Sequence, residues 1–255
     1  MFKISKLLRN LSRSIRTNYH FINNKKISLH HLGYGQLSNE RAIEMKNLLK
    51  QQINLFKKSD REIFIFLEIG SYLGESLETY GKILSEELKD NYLMFSVDPY
   101  GLYLNKSMNM IYMYFINNIS KTKFKNNFTH LRMESKKGYD LLNKLNIKLD
   151  FCYVDGSHYY KDIKFEIENF NKILVNNSEY KGFICGDDCE ISYEDLIKKV
   201  DKKKIEELFS NVDNYDFIKN FDNQSINFHP GVTLAIKESE LPIKITSSGF
   251  WYKFF

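Results

Sequence analysis

The stretch Ile63-Phe64-Ile65-Phe66-Leu67-Glu68-Ile69 is apolar at every position but one and ends in an acid and a glycine turn, Gly70-Ser71-Tyr72-Leu73-Gly74. A strand solvated on one face alternates apolar and polar residues, whereas a continuous run of this kind fits a strand covered on both faces by helices. Leu77, Tyr80, Ile83, Leu84 and Leu88 then recur at helical spacing, and Tyr92-Leu93-Met94-Phe95-Ser96-Val97 reads as a second strand. Strand, helix and strand in that order form a βαβ unit.

The alternation continues. Pro99 to Asn127 suits a helix, Phe128 to Met133 a short strand, Lys137 to Leu145 a helix and Leu149 to Val154 a strand. Lys161 to Val175 places Ile163, Ile167, Phe170 and Leu174 on one helical face, and Gly182 to Gly186 reads as the next strand. A charged helix over Tyr193 to Phe209 precedes two late strands, Val232 to Ile236 and Phe250 to Phe255. The expected fold is a doubly wound, Rossmann-like α/β domain: a mostly parallel sheet, helices on both faces and a late antiparallel edge strand. It should occupy residues 61–255. Residues 1–60 carry a basic amphipathic arm, Met1 to Asn24, and a helix, Asn39 to Phe56, and read as a helical arm or lid placed before the core.

A chain of 255 residues with 43% hydrophobic content can bury a full core as one domain. The net charge of +5 comes from lysines scattered among Asp and Glu, so nucleic-acid binding is not expected. Arg9, Arg13 and Arg16 interrupt the arm, leaving no export signal, and no window approaches a membrane span. Cys152, Cys185 and Cys189 form neither an even set nor a CxxC pair, which points to reduced thiols in a cytoplasmic protein. Association into homo-oligomers is left open.

Ligands of open α/β sheets sit beyond the carboxyl ends of the strands, and here four strand ends carry acids: Glu68, Asp98, Asp155, and Asp187 with Asp188. The turn is GxxxG and not GxGxxG, so the pyrophosphate cradle of a dinucleotide site is not met. An acid before the turn repels phosphate but suits the ammonium of a methionine moiety, and Asp98 can accept from two ribose hydroxyls. A sulfonium cofactor fits better than a nicotinamide one.

Glu68 to Ser76, Val97-Asp98-Pro99-Tyr100, Tyr153-Val154-Asp155-Gly156-Ser157-His158-Tyr159-Tyr160 and Gly182 to Asp188 together resemble successive motifs of class I S-adenosylmethionine-dependent methyltransferases, more narrowly the branch of macrocin- and novobiocin-type sugar O-methyltransferases. The resemblance covers about residues 60–240. It implies a cofactor segment with Glu68, Gly70, Ser71, Gly74 and Ser76 at the methionine end, Asp98 at the ribose, Glu134 and Ser135 at the adenine, and Asp155 bordering both cofactor and chemistry. It also implies a divalent cation, Mg²⁺, on Asp155, Asp187 and Asp188. Such a cation would lower the pKa of an acceptor hydroxyl. The bland alternative is that Asp187-Asp188 caps the next helix.

The sequence departs from that branch at Ser157, where the branch carries an acidic base. His158 is the neighbouring candidate for the catalytic role, with Asp155; it could equally only hydrogen-bond the following helix. His229-Pro230-Gly231 could line the acceptor pocket or be a plain loop. Tyr100, Tyr103, Tyr112 and Tyr114 could wall a sugar, but their spacing favours core packing. The expected activity is methyl transfer from S-adenosylmethionine to an oxygen of a small-molecule or sugar acceptor of the surface-polysaccharide type. The alternatives are a metal-independent N- or O-methyltransferase, a cofactor-binding protein without turnover, and a nicotinamide-dependent enzyme.

Overall fold

A computed structural model describes residues 14–32, 39–101 and 106–253. Residues 1–13 of the basic arm, Tyr103, and the end of the last expected strand at 254–255 lie outside the described residues. Helix α1 spans residues 14–22 and a short turn, α2, spans Leu29–Leu32. Helix α3 follows over Asn39–Phe56, then β1 Phe64–Ile69, α4 Glu75–Leu88, β2 Tyr92–Val97, α5 Lys106–Ile119, β3 Phe128–Leu131, α6 Ser135–Lys144, β4 Phe151–Val154, α7 Tyr160–Phe170 and β5 Phe183–Gly186. The chain ends with α8 Tyr193–Lys199, α9 Lys202–Ser210, α10 Pro230–Glu238, β6 Ile243–Ile245 and β7 Trp251–Lys253.

The seven strands lie in the order β3-β2-β1-β4-β5-β7-β6. The first five are mutually parallel, and β7 enters antiparallel between β5 and β6. The chain leaves β1 toward β2 on one side and returns to β4 on the other, so the strand order switches beside the carboxyl end of β1. This is the Rossmann-like arrangement expected from the sequence.

Alternate residues of β1 feed two core layers. Phe64 and Phe66 join the layer built from α3, α4 and α5, while Leu67 and Ile69 join the layer built from α6, α7 and α10. In α3, Met45, Leu49, Ile53 and Phe56 recur at i, i+4, i+8 and i+11 and are buried in the first layer. Helix α3 of the 1–60 segment is thus packed into the core as well as preceding it.

Two expectations are corrected. Val232 to Ile236 is not a strand but the middle of α10. Pro230 pre-sets the first turn, and Gly231 lets the helix approach so closely that a Cβ there would stand 2.2 Å from the His158 carbonyl oxygen. Packing on α7 outweighs the β-branched composition. The edge hairpin is instead β6 with β7. The charged helix over Tyr193 to Phe209 is two helices, because Val200 adopts an extended conformation and Asp201 caps α9 by accepting from Lys203 N.

Candidate functional site

The glycine turn is built by contacts that only glycine permits. Gly70 has φ +79°, and a Cβ on it would stand 2.0 Å from the Asp155 carbonyl oxygen, so the loops after β1 and β4 touch backbone to backbone. Asp98 fixes the turn from the β2 side: its Oδ2 accepts from Ser71 N and Tyr72 N at 2.9 and 3.2 Å, and its Oδ1 accepts from Tyr100 N at 2.9 Å. These bonds use three of about four acceptor positions of the carboxylate.

Glu68 is fully buried beneath the turn, on the α4 side of the sheet. Its Oε1 accepts from Ser76 Oγ at 3.0 Å, whereas Oε2 and the nearby Ser71 hydroxyl make no hydrogen bond. Burial, with the charge of Asp155, pushes its carboxyl well above the usual carboxylate range, although the Ser76 hydrogen bond tempers the shift.

Two adjoining cavities meet at this turn. The first, of about 540 Å³, takes Arg41, Glu75, Ser76, Asp155, His158 and Asp188 among its walls. The second, of about 400 Å³, takes Asp98, Met108, Glu134, Ser135, Asp162 and Glu166. Gly70, Tyr72, Asp155 and Gly156 border both. Of the expected cofactor residues, Gly70, Ser71, Ser76, Asp98, Glu134, Ser135 and Asp155 line one or other cavity, Glu68 is buried beneath the turn, and Gly74 lines neither, facing Phe115 and Ile119 instead. The chemistry of this set is compatible with S-adenosylmethionine: acids border the turn, and the buried Glu68 Oε2 and Ser71 Oγ there are polar atoms without partners.

Asp155, Asp187 and Asp188 converge on the first cavity but do not gather as an oxygen cage. Arg41 of α3 stands among them: its Nη1 donates to Asp187 Oδ2 at 2.9 Å and lies 3.6 Å from Asp188 Oδ1, and its Nε donates to the Ser248 carbonyl. Asp187 Oδ1 accepts from Asp188 N, and Asp155 Oδ2 accepts from the Tyr153 hydroxyl. Among the described residues the one group with ligand atoms within 4.8 Å of one another is His158, Asp188 and His229. A magnesium ion needs near-octahedral oxygen ligands, and the three aspartates in this arrangement do not fit one. Nor do they cap a helix, since Ser192 caps α8 by accepting from Asp195 N.

Burial and the charges of Asp188 and Asp187 push the Asp155 carboxyl well up. Burial and Asp188 raise Asp187 to about 7 against the opposing charge of Arg41. Asp188 moves the other way: burial is overcome by the His158 hydrogen bond and charge. His158 Nε2 stands 3.1 Å from Asp188 Oδ2 and Nδ1 3.0 Å from Asp216 Oδ1, and these acids, with Asp155, lift it to about 9 although burial works against its charge. It does not bond the following helix.

Ser157 Oγ donates to Asp162 Oδ2 at 2.7 Å in the second cavity. His229, at the N-cap position of α10, pairs through Nδ1 with Glu190 Oε1 at 2.9 Å and packs against His158 with centroids 4.3 Å apart and the rings tilted by 55°. Tyr100 and Tyr114 are buried in the core, as their spacing suggests. The sequence reading missed Arg41, Glu166, Glu190 and Asp216. Two of these left a trace: Arg41 precedes Met45 by four residues on the face α3 buries, and Glu166 stands on the apolar stripe of α7 between Ile163 and Ile167.

Residues 67–189 match the sequence model of a family described as a methyltransferase domain. No curated protein matches the chain. Among solved structures, an O-methyltransferase from Bacillus cereus in complex with SAH superposes with TM-score 0.52 at 13% identity, over 94% of this chain and 89% of that one. CalS11, a TDP-rhamnose 3'-O-methyltransferase of calicheamicin biosynthesis, superposes with TM-score 0.51 at 11% identity, over 96% and 94% of the two chains. At these identities the likeness is one of fold.

Proposed function

We propose, on the premise that residues 67–189 are a methyltransferase domain, that the chain transfers a methyl group from S-adenosylmethionine to a hydroxyl of a sugar or glycoconjugate precursor. The observation that carries this reading is the junction of the two cavities at Gly70, Tyr72, Asp155 and Gly156. S-adenosylmethionine supplies an electrophilic methyl on a sulfonium and is left as S-adenosylhomocysteine. Asp98, with one acceptor position left, would take a ribose hydroxyl, Glu134 and Ser135 would border the adenine, and the Gly70-Ser71 backbone with Glu68 beneath it would take the methionine end. Leu29 and Arg41, both lining the first cavity, make the N-terminal segment its cover.

An acceptor in the first cavity meets Arg41, Glu75, Asp155, His158, Asp187 and Asp188, a wall of hydrogen-bonding and charged groups suited to several hydroxyls. His158, oriented by Asp188 and Asp216, takes the acceptor proton. Arg41 already counters the charge of Asp187 and Asp188, which favours transfer without magnesium. The test is binding of S-adenosylhomocysteine, followed by a screen of nucleotide-activated sugars and glycosides for S-adenosylhomocysteine release in EDTA. Stabilisation by NAD(H) but not by S-adenosylhomocysteine would overturn the reading, and activity restored only by Mg²⁺ would overturn its metal-free part.

A further inference from the structure

We propose that His158, Asp188 and His229 form a binding site for one transition-metal dication of the zinc class, open to the first cavity. One ligand atom from each residue lies within 4.8 Å of the other two. His158 Nε2 and Asp188 Oδ2 are 3.1 Å apart, close to the roughly 3.3 Å that separates nitrogen and oxygen donors on a tetrahedral zinc with bonds of about 2.0–2.1 Å.

The surroundings are those of a metal site one layer further out. Each imidazole turns Nδ1 to a carboxylate, His158 to Asp216 at 3.0 Å and His229 to Glu190 at 2.9 Å. That pairing fixes the ring and frees Nε2 for a metal, and its loss typically weakens metal binding 10–100-fold. The three ligands come from separate elements, brought together by packing: Gly231 presses α10 against the His158 carbonyl, and Asp188 is held in the left-handed region at φ 64°. Two imidazoles and one carboxylate select a borderline transition metal over Mg²⁺ or Ca²⁺. Three protein ligands leave a position for a small exogenous ligand, and His158 and Asp188 both face the cavity.

His158 Nε2 cannot hold a metal and accept a proton at once, so bound metal should suppress methyl transfer; this consequence rests on the methyltransferase reading, while metal binding does not. The test uses the full chain, stripped with chelator and without cofactor, titrated with Zn²⁺ by calorimetry and with Co²⁺ by visible absorption. The expected result is one equivalent bound, with the d–d spectrum of a site of low coordination number containing nitrogen ligands. His229→Gln should weaken Co²⁺ binding at least 100-fold. Asp216→Asn, which keeps all three ligands, should weaken it 10–100-fold. The proposal is overturned if the wild type binds neither ion, if His229→Gln binds Co²⁺ as tightly as wild type, or if Mg²⁺ displaces Co²⁺ at equal concentration. Absence of methyl transfer in chelator, from protein that binds Co²⁺ when it is supplied, would count against the functional reading alone.

Discussion

The guanidinium of Arg41 lies 2.9 Å from the Asp187 carboxylate, joining the first long helix to the loop after β5 across 146 positions of sequence. Asp187 is nearly inaccessible, with its side chain 4% exposed. Removing its partner strands a buried charge, a change that costs several kcal/mol in deep sites and about 2 kcal/mol for a partly exposed arginine. Arg41→Met should lower Tm by roughly 4–8 °C and confer a Tm that rises with added Mg²⁺. A Tm as insensitive to Mg²⁺ as that of the wild type would show that Arg41 does not take the place of a cation.

Gly70→Ala places a methyl group 2.0 Å from the Asp155 carbonyl at a φ of +79°. The β1 and β4 loops must separate, so S-adenosylhomocysteine binding should be lost by calorimetry and stability reduced by about 3 kcal/mol or more.

Asp98→Asn leaves one oxygen to serve three backbone N–H donors. Stability should fall by about 1–3 kcal/mol. S-adenosylhomocysteine affinity should fall at least tenfold, because the turn and the ribose acceptor are lost together.

Glu166 is buried and pushed to about 8, from an ordinary value of 4.5, chiefly by burial, with the Ser135 hydrogen bond tempering the rise. Between those two values the folded protein holds a proton that the unfolded chain releases. The stability contributed by this group is therefore complete below about pH 4.5 and declines as pH rises through 8. Glu166→Gln should flatten that part of the stability–pH curve and raise Tm at pH 8, measured by thermal denaturation across pH 4 to 9.

His158, raised to about 9 by Asp188, Asp155 and Asp216 against the effect of burial, is an imidazolium at neutral pH. If it accepts the acceptor proton, chelated turnover should climb about tenfold per pH unit and level off above pH 9. His158→Gln should lower kcat by roughly 10²–10⁴-fold. A pH-independent rate between 6 and 9 would remove His158 from the proton transfer.

The parallel core was legible because β1, α4 and β2 each carry an unambiguous apolar pattern and the acids fall at strand ends. Val232 to Ile236 was misread because a short β-branched run suits strand and helix alike, and only contact with α7 decides between them. The residues lining the two cavities beside β1 were largely legible because they cluster in short segments. Arg41, Glu190 and Asp216 were not: a surface-type charge acquires its role from partners far along the chain, as Arg41 does from Asp187 and Asp216 from His158, 58 positions away.

Trp251 of β7 donates its indole N–H to the Asp187 carbonyl at 3.1 Å and lies where any side chain on Gly186 would stand. The bond spans 64 residues. Without that tryptophan the Asp187-Asp188 loop loses both a hydrogen bond to its backbone and the ring packed on Gly186. The shape of the Asp187-Asp188 loop thus depends on the last strand of the chain, whereas the Gly70 turn is held by Asp98 and the Asp155 carbonyl, both from earlier elements.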